Sequence, residues 1–220
     1  MKRGLLEREL QLLQDEMLEL GSMTEKAVQR ALEALRHNNA ELSQRVVEED
    51  RLINEKRYQV EEHVIEFIAT QSPLAADLRL AIATLFIVTD LERMADHAEG
   101  IGRIHLLLGS SPAPEVPQIW QMGERAIDML RDALSSFVQR DVELARHVCN
   151  ADDAIDSLYD AAYANIIALM IREPESVTRH TYMLWTAHNL ERIGDRCTNI
   201  AERVIFLVTG RLEEINVSRY

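Results

Sequence analysis

Apolar residues recur at intervals of three and four along most of this 220-residue chain. The stretch from Leu6 to Leu35 shows the pattern clearly, and it predicts a long helix with one buried face. Residues that form turns are scarce, with only eight glycines and five prolines, about half of their average usage. We therefore expect an all-α protein of long helices, and folds that need many turns are excluded.

Interruptions of this pattern divide the chain into six predicted helices. Asn38 and Asn39 are expected to end the first, because asparagine tolerates the left-handed conformation found at helix ends. Ser72 and Pro73 are typical of an N-cap and a first helical position, so the third helix is expected to begin there. The proline-rich segment 109–117 is the predicted linker. The other predicted helices cover about 40–70, 118–139, 142–172 and 174–208, and the third ends near 108.

The second half of the chain resembles the first. The run Leu91-Glu-Arg-Met-Ala-Asp96 recurs as Leu190-Glu-Arg-Ile-Gly-Asp195, and a period of about 100 residues is too long for a solenoid repeat. Each half contains three predicted helices, so internal duplication explains the pattern. We expect two tandem three-helix bundles, with domains at residues 1–110 and 111–220.

Carboxylates follow one face of the third and the sixth predicted helices. Spacings of four and three residues place Glu92, Asp96 and Glu99 together on the third helix. Like charges at this spacing repel each other unless a cation compensates them. Carboxylate oxygens suit hard cations, and iron and manganese accept them as well. The recurrence predicts two metal sites, with the candidate ligands Glu92, Asp96 and Glu99 in the first and Glu191, Asp195 and Glu202 in the second.

Two other interpretations of these carboxylates stay open. They could be solvated acidic faces of a structural scaffold, or ligands of a carboxylate-bridged metalloenzyme with phosphatase or redox activity. None of the seven histidines has an acidic residue three positions before it, which disfavours a ferritin-like di-iron enzyme. The chain also has no phosphate-binding glycine loop and no G-x-S-x-G motif. We expect a non-enzymatic protein without catalytic residues.

The charge of the chain excludes several classes of partner. A formal net charge of -13 and a pI of about 5.0 disfavour nucleic-acid binding and docking on anionic lipids through a basic face. The N-terminal residues lack an apolar signal core, so we expect a cytoplasmic protein. Cys149 and Cys197 do not form a C-x-x-C pair, and Cys197 is predicted to lie in the core.

Several of these motifs resemble the signatures of the PhoU family. The runs Gln71–Arg79 and Asp90–Ala98 are similar to its first signature, and Asn189–Glu202 is similar to its second. The acidic segments Asp50–Asn54 and Asp152–Asp156 fit the family as well. The resemblance extends over nearly the whole chain.

The resemblance implies a six-helix protein that regulates phosphate uptake. PhoU proteins are accessory proteins of the high-affinity phosphate transporter, help to repress the phosphate-starvation regulon, and act with the transporter ATPase and a sensor histidine kinase. Some bind multinuclear metal clusters at E/D-x-x-x-D motifs, and dimers are usual. The resemblance thus implies a cytoplasmic, metal-binding homodimer with iron, manganese, zinc or magnesium as its cofactor. It also implies contact with the membrane only through partners and no contact with nucleic acid.

The chain departs from the family pattern in its second motif. Cys197 and Thr198 stand where the first repeat has Ala98 and Glu99. The second site therefore has one carboxylate fewer at these positions, and the number of metal ions that it would hold stays open.

Overall fold

The computed structural model describes residues 2–213 and 215, and this part of the chain is helical without strands. The prediction of an all-α protein with two three-helix repeats is confirmed. The linker between the repeats joins the third helix to the fourth. Residue 110, the predicted end of the first domain, lies in this linker. The helices are α1 (Lys2–Arg36), α2 (Ala40–Gln71), α3 (Ala76–Leu108), α4 (Pro117–Gln139), α5 (Val142–Arg172) and α6 (Val177–Thr209).

Side-chain caps explain several of the helix boundaries. The Oδ1 atom of Asn39 accepts a hydrogen bond from the backbone N–H of Leu42 at 3.0 Å, which begins α2. Asp141 caps α5 in the same way, because its Oδ1 accepts from the N–H groups of Glu143 and Leu144. Gly210 ends α6 with a φ of 73°, a conformation that glycine adopts without steric cost.

The predicted start of the third helix is wrong. Ser72 adopts a left-handed conformation with a φ of 48°, and its N–H donates to the carbonyl of Ile68, so Ser72 ends α2 instead of capping α3. The following Pro73 disfavours the α-helical conformation at Ser72, which explains the interruption. α3 begins only at Ala76. The sixth helix shows a similar delay, since Pro174 begins a single 3-10 turn that precedes α6.

Each repeat packs its three helices around a buried apolar core, and α3 and α6 pack against each other between the repeats. Met17, Met94 and Ile101 are fully buried in the first repeat, and Phe137 and Ile155 are fully buried in the second. The two cores are continuous, because buried residues of both repeats belong to one cluster. Burial on this scale rigidly positions the middle of α3 and α6, where the acidic motifs lie.

Polar side chains join α3 to α6 across the centre of the molecule. Asp90 is buried and accepts hydrogen bonds from Asn199 at 3.3 Å and from Arg196 at 3.4 Å. His97 is half buried, and its Nδ1 atom lies 2.9 Å from Oδ1 of Asn189. The helical periodicity of α3 alone could not reveal this contact, because it depends on a helix from the other repeat.

Of the described helices, α5 alone is long and apolar enough to cross a membrane, judged by its length and composition. Core helices of soluble proteins meet the same criterion, so this finding is weak evidence for a membrane span.

Candidate functional site

The acidic motif of α3 faces a further carboxylate on α2. Asp50 interacts electrostatically with Asp96, Glu99 and Glu92, and we refer to these four residues as cluster 1. Burial, followed by repulsion from Asp96, Glu99 and Glu92, raises the pKa of Asp50 from 3.8 to about 6. Its Oδ2 atom accepts a hydrogen bond from Asn54, whereas its buried Oδ1 atom has no hydrogen-bond partner.

Glu92 is the most buried carboxylate that the α3 motif contributes, and it pairs with an arginine from α2. The Nη1 atom of Arg57 lies 2.8 Å from Oε1 of Glu92. Burial and the neighbouring Asp96 raise the pKa of Glu92, and Arg57 partly offsets this effect. Burial also raises the pKa of Asp96, and repulsion from Glu99 adds to it. Cluster 1 is therefore an acidic group whose charge is partly offset by neighbouring arginines, Arg57 among them.

The second repeat contains an equivalent cluster between α5 and α6. Asp152, Asp156, Glu191 and Asp195 interact electrostatically, and we refer to these four residues as cluster 2. Burial raises the pKa of Asp152 from 3.8 to about 7, with contributions from Asp156, Asp195 and Glu191. Burial and repulsion from Asp195 raise the pKa of Glu191 from 4.5 to about 7. Two carboxyl groups of this cluster thus titrate near neutral pH in the folded protein.

A glycine allows α5 to approach α6 closely at cluster 2. A Cβ atom at Gly194 would lie 2.9 Å from Oδ1 of Asp152 and 3.0 Å from Cδ1 of Ile155. Since real Cβ atoms hardly ever approach other atoms so closely, a larger residue here would push Asp152 away from the α6 motif. Gly194 thus allows Asp152 and Ile155 to lie directly against the α6 motif.

The two clusters differ in the cations that neighbour them. Arg57 follows Asp50 by seven residues in the first repeat, and Tyr159 stands at the equivalent position after Asp152. In cluster 2, Arg192 contacts Glu191 at 3.3 Å and Asp195 at 2.9 Å. Tyr159 instead lines a cavity of about 330 Å³ beside Glu191, together with Tyr163, His188 and Arg192.

The remaining predicted ligands lie at the edges of these groups. Glu99 belongs to cluster 1, but it also forms an ion pair with Arg103 at 2.5 Å. Glu202 lies two helical turns beyond Asp195 on α6, and it accepts a hydrogen bond from the N–H of Ile215 at 2.8 Å. The structure therefore groups Glu92, Asp96 and Glu99 together and brings Glu191 close to Asp195, whereas Glu202 contacts the C-terminal segment.

Three of the carboxylates that complete the clusters are not among the ligands predicted from the sequence. Asp50, Asp152 and Asp156 come from helices adjacent to the acidic motifs. The recurrence of the acidic segments beginning at Asp50 and Asp152 was the available signal. This recurrence does not identify the three residues as ligands, because the sequence does not show which helices pack together.

The donor chemistry of both clusters fits a hard cation, but their geometry is not that of a formed metal site. Carboxylate oxygens are ligands that magnesium, manganese and iron accept, and Oδ1 of Asp50 and Oε2 of Glu191 are buried without hydrogen bonds. Within residues 2–213 and 215, no group of three or more histidine, cysteine, aspartate or glutamate side chains is placed so that it could hold a metal ion. Guanidinium groups contact several of these carboxylates instead. Metal binding at the two clusters stays a prediction.

The cysteines are poorly suited to nucleophilic chemistry. Cys149 and Cys197 are buried free thiols, which confirms the predicted core position of Cys197. Burial raises the pKa of Cys149 to about 12 and also raises that of Cys197, so both thiols stay protonated at neutral pH.

The chain is similar to proteins of phosphate transport over nearly its full length. The family model described as PhoU domain matches it twice, at residues 17–104 and 119–204. A phosphate-specific transport system accessory protein PhoU homolog from Clostridium acetobutylicum is 37% identical over 98% of this chain and 100% of that protein.

Two solved structures share the fold. The phosphate transport system regulatory protein PhoU from Streptococcus pneumoniae has a TM-score of 0.89 and 32% identity, over 95% of this chain and 99% of that one. PhoU from Pseudomonas aeruginosa also has a TM-score of 0.89, with 33% identity over 93% and 99% of the two chains.

Proposed function

The chain belongs to the PhoU family of accessory and regulatory proteins of phosphate transport, and we propose that it is a cytoplasmic negative regulator of phosphate uptake and of the phosphate-starvation regulon. In this proposal it is a non-enzymatic adaptor between the ATPase of the high-affinity phosphate transporter and a sensor histidine kinase. The observation that carries the metal-binding part is the pair of equivalent carboxylate clusters in the two repeats.

The electrostatics of the clusters support cation binding as part of this function. Asp152 and Glu191 have pKa values of about 7 because burial and mutual repulsion disfavour their charged forms. A bound divalent or trivalent cation would stabilise the ionised carboxylates and remove that repulsion. Because these carboxylates do not converge in the described part of the chain, their side chains would have to move to hold such an ion. Asp50, Glu92 and Asp96 would then hold it in cluster 1, and Asp152, Glu191 and Asp195 would hold it in cluster 2. Iron, manganese, zinc and magnesium are the candidates, and the bound ion would supply positive charge to the space between the helices.

Metal analysis of purified variants tests this part of the proposal. We would purify the full chain without oxygen and measure the metal content per chain for the wild type and for the double variant Glu92→Ala/Asp96→Ala. The matched control is Glu62→Ala/Glu66→Ala, which removes two exposed carboxylates at the same spacing from α2. We expect the metal content to fall in the first variant alone. Equal metal content in all three proteins would refute metal binding at cluster 1.

Partner capture tests the adaptor part separately. The tagged chain should retain the phosphate-transporter ATPase and the sensor kinase in pull-down experiments from cells grown with ample phosphate. Deletion of its gene should also cause expression of the phosphate-starvation regulon under these conditions. Normal repression after the deletion would contradict the regulatory role, whatever the metal content.

Self-association completes the proposed function. Exposed apolar side chains lie along the helices, and a homodimer would cover part of this surface. Sedimentation velocity of the purified chain at several concentrations should show a dimer, and a monomer at all concentrations would contradict this part. The most exposed of these side chains include Ile65, Leu107 and Ile171, and Leu74 is exposed in the turn between α2 and α3.

A further inference from the structure

A second cavity, far along the helices from the acidic motifs, lies between the two repeats. Its volume is about 460 Å³, within the range of small-molecule pockets. The N-terminal turn of α3, the C-terminal end of α6, part of α1 and the turn between α4 and α5 meet around it. Its polar walls include Arg79 and Arg140 as well as the amides of Gln11 and Gln14.

Arg140 brings a poorly compensated positive charge to this cavity. The residue ends α4 in a left-handed conformation with a φ of 56°. Its guanidinium carbon lies 5.3 Å from the centre of the Phe137 ring, and its Nη1 atom is buried without a hydrogen-bond partner. Burial lowers the pKa of Arg140 because it removes water from the charged guanidinium group. A buried guanidinium N–H without an acceptor is costly, and an anion in the cavity would offset the positive charge of this group.

Arg79 supplies a second guanidinium group from the first turn of α3. Its Nε atom donates to the carbonyl of Leu207 at 3.2 Å, which joins α3 of the first repeat to α6 of the second. This contact explains why Arg79 is held at the cavity, and it leaves the two Nη groups for other acceptors. The N-terminus of α3 lacks a side-chain cap, so the positive end of the helix dipole lies at the same wall.

Two carboxylates, Glu7 and Asp77, also line the cavity. Burial lowers the pKa of Arg140, so desolvation outweighs any stabilisation of its charge by these carboxylates. Arg79 belongs to the run Gln71–Arg79, a motif that the proposed metal-binding adaptor function leaves without a role. The cavity therefore combines two guanidinium groups, two amides and a helix N-terminus with two carboxylates, and its hydrogen-bond donors match a tetrahedral oxyanion.

We propose that this cavity between the repeats binds a phosphate group through Arg79 and Arg140, either as inorganic phosphate or as part of a small phosphomonoester. Both guanidinium groups would donate hydrogen bonds to the oxyanion, and the amides of Gln11 and Gln14 are placed on the same walls. Because Arg79 contacts α6 and Arg140 lies in the second repeat, a bound anion would link the two repeats. The proposal does not depend on metal binding at the acidic clusters.

Isothermal titration calorimetry of the full chain in EDTA tests the proposal. One titration uses inorganic phosphate and a second uses AMP, each with sulfate as a competitor. We expect saturable binding of at least one ligand, and we expect Arg140→Gln and Arg79→Gln to weaken it at least tenfold. The matched control is Arg203→Gln, which removes the same charge from a guanidinium that lies 4.2 Å from the Phe86 ring, away from the cavity. Its affinity should equal that of the wild type.

The outcomes distinguish inorganic phosphate from a phosphomonoester, and binding in this cavity from general attraction to positive charge. Binding of phosphate indicates a free anion, and binding of AMP alone indicates a phosphomonoester. Arg79→Gln loses the hydrogen bond to Leu207, so a folding defect would also weaken binding in this variant. The decisive comparison is therefore between Arg140→Gln and Arg140→Lys. Circular dichroism should confirm that both variants stay helical. Binding of neither ligand, or the same affinity in Arg140→Gln and the wild type, would overturn the proposal. An equal loss in Arg203→Gln would overturn it too, because general charge would then explain the binding.

Discussion

The buried carboxylate of Glu191 makes a quantitative prediction about stability. Glu191 is only 4% exposed, and burial together with Asp195 raises its pKa from 4.5 to about 7. Between these two pH values the folded chain binds more protons than the unfolded chain, so the contribution of this group to stability falls as the pH rises. A rise of this size corresponds to an upper limit of about 3 kcal/mol, since one pKa unit equals about 1.4 kcal/mol.

We therefore expect Glu191→Gln to stabilise the metal-free protein at high pH. Glutamine keeps the shape of the side chain and removes the charge that repels Asp195, although the contact with Arg192 is weakened. Urea unfolding in EDTA should give nearly equal free energies of unfolding for the variant and the wild type at pH 4.5. At pH 8 the variant should be more stable by about 1–3 kcal/mol.

A variant at an exposed glutamate provides the control for the effect of removing one negative charge. Glu175→Gln removes the same charge from an exposed position in the 3-10 turn, so its difference from the wild type should stay small between pH 4.5 and 8. A difference between Glu191→Gln and the wild type that is independent of pH would refute the reasoning. So would a loss of stability in Glu191→Gln that grows as the pH rises.

Three further predictions concern packing and backbone conformation. Gly194→Val should destabilise the protein by about 1–3 kcal/mol in urea unfolding, because its Cβ atom would lie 2.9 Å from Asp152 and push α5 outwards. Met94→Ala should cost about 2–5 kcal/mol by removing a fully buried side chain, whereas Leu107→Ala at a 62% exposed position should change the free energy by less than about 0.5 kcal/mol. Ala75→Gly should raise the melting temperature, because Ala75 has a φ of 49° that costs a non-glycine residue about 1 kcal/mol. An unchanged melting temperature in Gly194→Val, or a lower one in Ala75→Gly, would contradict these assignments.

The fold could be predicted from the sequence because its signals are local. Long helical periodicity and few turn residues predicted the helices, and Asn38 follows α1 in the predicted left-handed conformation, with a φ of 51°. The start of α3 was mispredicted because Ser72 has two compatible roles. It can cap the following helix or end the preceding one, and the choice depends on how α2 and α3 pack.

The candidate site was only partly predictable. Glu92 and Asp96 lie on one helix, so their spacing placed them together correctly. Asp50 comes from another helix, and nothing in its own segment shows which face of α3 it meets. The contact between Arg57 and Glu92 is hidden in the same way, since it joins residues that are far apart in the chain.

The sequence by itself determined the helices, their duplication and the acidic stripes on α3 and α6, because each depends on spacing within one segment. Tertiary structure alone decided which charges meet. It added Asp50 and Asp152 to the acidic motifs, paired Arg57 with Glu92, and placed Arg79 and Arg140 around one cavity. The physical reason is that desolvation and electrostatic interaction depend on distances between helices, and packing sets those distances only when the chain has folded.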